Sequence, residues 1–204
     1  NAGNDNAICA SGTYAIASSS ASDYSIISWA SSGTGTFSSG GIHPTYTPSA
    51  SDIAAGIVTL TITASGNPPC GIISDAMTLT IHPLPTANAG LNGATCQGIN
   101  YTVSGAVATN NSSVSWTEDG PGSLVNAGTL TPTYVPLTGE TGMVTLTLTA
   151  QGANTCSAET ATSTRMLTVN PLPDVDAGLD ATICAANTHA LIGTQQNCLP
   201  WLWT

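Results

Sequence analysis

The sequence predicts an all-β protein built of tandem β-sandwich repeats of about 87 residues. Three observations predict it: cysteine and tryptophan recur at one spacing, apolar residues alternate with threonine in long runs, and no window carries a helical apolar stripe. Cys9, Cys96 and Cys184 lie 87 and 88 residues apart, and Trp29, Trp116 and Trp203 lie 87 and 87 apart. Cys70 and Cys156 are separated by 86 residues, and Gly33 and Gly35 return as Gly120 and Gly122. Thr45-Tyr46-Thr47-Pro48 returns as Thr133-Tyr134-Val135-Pro136. Self-similarity at a fixed period marks repeated structural units. The expected boundaries are residues 1–84 for a first repeat, 85–172 for a second, and 173–204 for the opening part of a third.

Near the start of each repeat a strand is expected, at Tyr14 and Ile16 in the first and at Tyr101 and Val103 in the second. A strand follows with Ile27 and Trp29 on one face, matched by Val114 and Trp116, and turn residues Ser32-Gly33 and Asp119-Gly120 close it. The runs Val58-Thr59-Leu60-Thr61-Ile62-Thr63-Ala64 and Val144-Thr145-Leu146-Thr147-Leu148-Thr149-Ala150 have the period of two expected of a central strand with one buried face. Leu79 with Ile81, and Leu167 with Val169, give a last strand running into Pro83-Leu84-Pro85 and Pro171-Leu172-Pro173. Proline cannot donate to a ladder, so each Pro-Leu-Pro reads as a short, stiff joint between repeats. Several short strands in such a unit match a sandwich of about seven strands, and helix is nearly excluded.

Composition narrows the function classes. Hydrophobic residues make up 41% of the 204 and charged residues 6%, so the surface is solvated mainly by Ser and Thr hydroxyls, and disorder is excluded. Arg165 is the only strong base against eleven carboxylates, giving a formal charge of −10. Nucleic acid and anionic lipid headgroups both require clustered Lys and Arg, and neither is expected as a partner. No segment approaches the ~18 consecutive apolar residues of a membrane span, and Asn1-Ala2-Gly3 does not begin a signal peptide, so a soluble fragment is expected, without direct membrane insertion. The six cysteines show no Cys-x-x-Cys spacing, which favours disulfides in an exported protein over a zinc site. With no lysine, Lys–Asn isopeptide crosslinks cannot form, and trypsin has one site, Arg165, placed just ahead of the last strand of the second repeat.

Ala2-Gly3-Asn4-Asp5, Ala89-Gly90-Leu91-Asn92 and Ala177-Gly178-Leu179-Asp180 recur in one register, each followed by a Cys. With the Ser-Trp-x-x-x-Gly-x-Gly strand end, Thr-Tyr-x-Pro and Val-Thr-Leu-Thr, they resemble the PKD-like, immunoglobulin-like tandem repeats of giant Bacteroidota-type, gliding-adhesin-like cell-surface proteins. The chain departs from the better-known PKD pattern by carrying Trp29-Ala30-Ser31-Ser32-Gly33 and Trp116-Thr117-Glu118-Asp119-Gly120 in place of Trp-Asp-Phe-Gly-Asp-Gly. The resemblance implies an extracellular adhesin whose partners are neighbouring repeats of the same chain or filament, with surfaces or glycans beyond them.

The candidate site residues are structural. Trp29 and Trp116 each share a strand face with an aliphatic residue and are expected in the core; a sugar-stacking platform would need a row of exposed aromatics. Trp201, beside Cys198 and Pro200, has no counterpart in the other repeats. Cys9, Cys70, Cys96 and Cys156 are expected in disulfides. Pairing within repeats, Cys9 with Cys70 and Cys96 with Cys156, is preferred; the alternative joins Cys9 to Cys156 across the joint. The pairing of Cys184 and Cys198 is left open. Asp5 and Asp180 open their repeats as calcium ligands can, but Asn92 holds the equivalent place and no acidic cluster surrounds them, so no metal or other cofactor is expected. His43, His82 and His189 lie at unrelated repeat positions, nothing resembles Gly-x-Ser-x-Gly, and Gly33-Thr34-Gly35 opens no helix that could bind phosphate. No catalysis is expected.

The reading is a structural and adhesive stalk or filament segment; the alternative is a non-catalytic spacer or accessory binding module of a secreted multidomain hydrolase. Residues 173–204 hold only opening strands and cannot close a sandwich alone, so continuation of the polypeptide beyond Thr204 is expected, with strands donated by another chain as the alternative.

Overall fold

The computed structural model describes residues 1–38 and 40–197. Cys198, Trp201 and Trp203, singled out above, lie outside the described residues. Of the described residues, 48% are in strands and 5% in helix, and the fold is an all-β, immunoglobulin-like sandwich.

Through the first 82 residues the elements are β1 (Asn6–Cys9), β2 (Tyr14–Ala15), β3 (Tyr24–Ser31), β4 (Thr36–Phe37), β5 (Thr45–Thr47), α1 (Ala50–Ala55), β6 (Ile57–Gly66) and β7 (Ile72–His82). Then follow β8 (Thr86–Asn88), β9 (Gly93–Cys96), β10 (Tyr101–Thr102), β11 (Val107–Thr109), β12 (Asn111–Glu118), β13 (Ser123–Val125) and β14 (Thr133–Val135). The last are β15 (Gly142–Gly152), a 3-10 turn (Asn154–Cys156), β16 (Thr160–Asn170), β17 (Asp174–Asp176) and β18 (Thr194–Gln196). A four-stranded sheet β1-β7-β6-β3 and a three-stranded sheet β2-β5-β4 account for the first stretch. The second stretch reproduces the same order with β9, β16, β15 and β12 in one sheet and β10, β14 and β13 in the other. In both, the first strand runs parallel to the last, Cys9 opposite His82 and Cys96 opposite Asn170.

By contact density the chain falls into two compact units. The first comprises Asn1–Asn88, Val107–Ser115 and Leu148–Ser163; the second comprises Ala89–Ala106, Trp116–Thr147 and Thr164–Thr204. The core of the first is Tyr14, Ile16, Tyr46, Val58, Leu60, Ile62, Met77, Leu79 and Ile81, against which Ile27, Trp29 and Phe37 pack half-buried. The apolar members of β6, Val58, Leu60 and Ile62, are the buried ones, so the alternation seen in the sequence sets which face is inside. Each such side chain contributes roughly 1.5–3 kcal/mol by leaving water. In the second unit Val103, Trp116, Tyr134, Val144, Leu146, Leu167 and Val169 are buried.

Two expectations need correction. Helix is present: α1 spans six residues, too short for an 11-residue window, and is nucleated by a capping box in which Ser49 Oγ accepts from Asp52 N–H and Asp52 accepts from Ser49 N–H. Gly56, at φ 74°, ends it in the left-handed conformation that costs glycine nothing. Arg165 lies inside β16 rather than ahead of it, and it is buried. No helix among the described residues is long and apolar enough to cross a membrane.

Candidate functional site

The cysteines give the chief departure from expectation. Cys9 is bonded to Cys156, 147 residues away in sequence, with a Cα separation of 4.8 Å. This overturns the preferred pairing of Cys9 with Cys70 and of Cys96 with Cys156; Cys70, Cys96 and Cys184 are free and exposed. The physical reason is strand direction. Because β1 runs parallel to β7, Cys9 sits beside His82 at the end of the last strand, whereas Cys70 lies in the loop that begins that strand, ten residues of extended chain away. At about 3.3 Å per residue that gap exceeds any disulfide span. Cys156 instead ends the 3-10 turn following β15, where Cys156 N–H donates to Ala153 O at 3.0 Å. Ser11 Oγ donates to Glu159 Oε1 at 2.7 Å, a polar tie between the loop after β1 and the segment after the turn.

The two Pro-Leu-Pro segments carry a repeated contact. Asn110 Nδ2 donates to Leu84 O at 3.1 Å, and Asn197 Nδ2 donates to Leu172 O at 3.3 Å. Both asparagines have positive φ, 55° and 57°, which Asn tolerates better than most residues. Each middle carbonyl of a Pro-Leu-Pro therefore has an asparagine donor 25 or 26 residues later.

A buried tyrosine–carboxylate clasp occurs in each unit. Tyr46 donates to Asp52 Oδ2 at 2.7 Å; the same carboxylate accepts from Ser49 N–H at 2.9 Å and Thr34 N–H at 3.0 Å. Tyr134 donates to Glu140 Oε1 at 2.5 Å, and Leu137 N–H donates to Glu140 Oε2 at 2.7 Å. The repeated Gly-x-Gly is explained here: a Cβ on Gly33 would fall 1.9 Å from Asp52 Oδ1, and one on Gly122 would fall 2.5 Å from the Tyr134 hydroxyl. Burial pushes the Asp52 carboxyl up, but hydrogen bonds from Ser49, Tyr46 and Thr34 outweigh it and hold the group down at about 2. Burial, and the hydrogen bond to the neighbouring carboxylate, raise the Tyr46 and Tyr134 hydroxyls. The Asp52 carboxylate stays ionised and the Tyr46 phenol protonated, so the clasp of the first unit is a fixed strut with no proton to exchange near neutrality. Asp52 and Glu140 escaped the sequence reading because one is Asp and the other Glu; the signal was their constant interval of six residues after the repeated Tyr.

The first-strand acids are likewise structural. Asp5 Oδ1 accepts from Thr78 N–H of β7 at 2.7 Å, and Asn92 Oδ1 accepts from Met166 N–H of β16 at 2.9 Å, the same tie in both stretches. Either residue type serves, which explains the Asp/Asn alternation. Asp180 lies in an exposed segment between β17 and β18.

Trp116 is buried and its Nε1–H donates to Thr129 O at 3.0 Å. Trp29 is half-buried, its ring centroid 6.0 Å from that of Phe37, and its Nε1–H has no partner. Arg165, 3% exposed, donates to Ala89 O at 3.2 Å, Ser104 O at 3.0 Å and the Tyr101 hydroxyl at 2.5 Å, and its guanidinium sits 5.4 Å from the Tyr101 ring centroid. Met77 holds the equivalent place in the first unit, also buried. The substitution is coordinated: Gly93 leaves room for Tyr101, whose hydroxyl would lie 2.2 Å from a Cβ there, whereas Asn6 stands opposite Tyr14. His43 Nδ1 lies 3.1 Å from Ser19 Oγ, a hydroxyl that also donates to Ile42 O. A cleft of about 390 Å³ in the first unit is lined by Asn1, Ser22, Ile73 and Asp75 among others, without His or Cys. Asp75 accepts there from Ala2 N–H at 2.7 Å. Among the described residues no group of three His, Cys, Asp or Glu could hold a metal ion.

No protein-family model matches the chain, and no curated protein matches it. Among solved structures it is similar to a three-domain titin fragment, I67–I69 in an E-to-A mutated variant, at 19% identity and TM-score 0.45, covering 84% of this chain and 64% of that one. It is similar to mouse cadherin-23 EC22-24 at 15% identity and TM-score 0.44, covering 84% of this chain and 63% of that one. Human protocadherin-24 EC1-2 gives 10% identity and TM-score 0.49, covering 84% and 94%. The chain thus spans under two thirds of the first two. The sandwich assignment rests on the strand order and pairing above.

Proposed function

We propose that the chain is a non-catalytic, load-bearing segment of an extracellular stalk or filament, made of PKD-like repeats at residues 1–84 and 85–172 with the first part of a third at 173–204, and belonging to an adhesin of the Bacteroidota type. The observation that carries this reading is the bond between Cys9, in the first strand of one repeat, and Cys156, in a loop of the next. A bond that closes 147 residues across a proline joint resists extension along the chain. The Asn110 contact to Leu84 points the same way. Disulfides persist in oxidising compartments, which supports export. Neighbouring repeats are the first partners, and surface or glycan contacts add weakly and multivalently.

The test is an in-frame deletion of this segment from its natural polypeptide. A stalk predicts that cells keep the protein but lose attachment to surfaces, with the distal end labelled closer to the envelope. Unchanged attachment together with loss of a hydrolytic activity would favour a hydrolase spacer instead.

A further inference from the structure

The two exposed thiols Cys70 and Cys96 occupy the two positions that the Cys9–Cys156 bond uses. Cys96 is the second-repeat equivalent of Cys9, and its backbone setting is the same. Cys9 lies opposite His82 and Cys96 opposite Asn170, each in a parallel pair. Ala10 N–H donates to His82 O at 2.9 Å and Gln97 N–H to Asn170 O at 2.8 Å; Gly12 N–H donates to Cys9 O at 2.9 Å and Ile99 N–H to Cys96 O at 3.0 Å. Cys70 is the first-repeat equivalent of Cys156, in the loop between the two longest strands.

An independent observation marks the Cys70 end. Ile26 and Ile72 there are 64% and 71% exposed. They flank Ser65 in one cross-strand row and so share a face. The equivalent positions in the second repeat are Ser113 and Thr160, which are polar. Apolar side chains clustered beside an exposed thiol mark a contact surface.

We infer that Cys96 and Cys70 are the open halves of a serial disulfide staple: Cys96 bonds the loop cysteine of the repeat that follows, and Cys70 bonds the first-strand cysteine of a repeat that precedes, whose surface covers Ile26 and Ile72. This rests on the repeat reading proposed above. Each closure converts two thiols to one disulfide and releases two protons and two electrons; glutathione disulfide, or a protein disulfide of an oxidising compartment, accepts them and becomes two thiols. Every proline joint is then bridged covalently, and tension passes from repeat to repeat through sulfur as well as through the backbone.

A head-to-tail fusion tests this. Residues 1–175 are joined to a complete second copy, so that Asn1 of the second copy takes the place of Asp176. The fusion and the single 204-residue chain are oxidised with a glutathione couple, alkylated, and mapped without reduction after chymotrypsin and Glu-specific cleavage. The expected result is a Cys9–Cys156 peptide from each copy plus one Cys96–Cys70 peptide linking first copy to second, while the single chain alkylates at both Cys96 and Cys70. Cys70→Ser in the second copy then returns Cys96 of the first to the alkylated pool. Formation of both Cys9–Cys156 bonds with Cys96 still alkylated overturns the staple while leaving the repeat reading intact. Failure of Cys9–Cys156 to form in the single chain strikes the repeat reading itself. The natural polypeptide, purified with thiols blocked at lysis, gives a second readout: alkylated Cys70 and Cys96 there overturn the inference.

Discussion

The Tyr46 hydroxyl lies 2.7 Å from Asp52 Oδ2, and that carboxylate, buried to 2% exposure, also collects two backbone N–H groups. A charge is thus kept inside the first sandwich by donors alone, with no cation. Its cost is offset by hydrogen bonds that strengthen where water is excluded.

Acid sensitivity follows. The Asp52 carboxyl is held at about 2 against an ordinary 3.8, so its folded-state value is depressed. The stability it contributes is therefore full above about pH 4 and is lost as pH falls toward 2. Linkage makes this about 2 kcal/mol. Urea melts of the wild type should weaken by that amount across the window, and Asp52→Asn should flatten the dependence while costing about 2 kcal/mol at pH 7. An unchanged acid limb in Asp52→Asn would refute the assignment.

The glycines of the clasp should be as sensitive as its polar groups. Gly33→Ala and Gly122→Ala drive a methyl into Asp52 and into the Tyr134 hydroxyl, and each should cost about 1–3 kcal/mol by forcing the clasp apart. Gly40→Ala, where no atom lies within 4 Å of the added carbon, is the control and should melt like the parent.

The two tryptophans should respond differently although they share a repeat position. Trp116→Ala should cost about 3–5 kcal/mol, as truncation of a buried aromatic does. Trp29→Ala should cost less, being half-buried. Trp29→Phe should be nearly neutral because the indole N–H it removes has no partner, whereas Trp116→Phe abandons Thr129 O. Chemical denaturation of the four variants checks the order, and equal losses for the two phenylalanine variants would contradict it.

Arg165 offers a single-site probe of unfolding. It is the only trypsin site and it is buried in β16, so folded protein should survive prolonged digestion, with cleavage tracking the unfolded fraction. Fast cutting at Arg165 under native conditions would show that its contacts to Ala89 and Ser104 do not hold.

Much of the fold was legible in the sequence because the period of two is a direct consequence of strand geometry. Val58, Leu60 and Ile62 had to share a face once they alternated with threonine, and they are buried together. The Gly-x-Gly after each tryptophan was visible as a motif, but its cause was not, since the tyrosine and carboxylate it makes room for stand in later elements, Asp52 after Gly33 and Tyr134 after Gly122. The cysteine pairing was illegible for a topological reason. Spacing alone treats Cys70 as near to Cys9 because both lie in one repeat; only the parallel pairing of β1 with β7 reveals that they face opposite ends of the sheet. α1 was hidden by its length, although Ser49 and Asp52 at the interval of a capping box announced it.

Pulling the chain by its two ends tests the central claim most directly, that a disulfide carries load from one repeat to the next. With Cys9–Cys156 closed, the 147-residue interval between the sulfurs is withheld from extension. Reduction should add roughly 500 Å of contour length at about 3.4 Å per residue, and the chain-entropy model assigns the bond about 5 kcal/mol of stability. Cys9→Ser should show the longer extension without reductant. Equal extension of the oxidised and reduced chains would contradict the account.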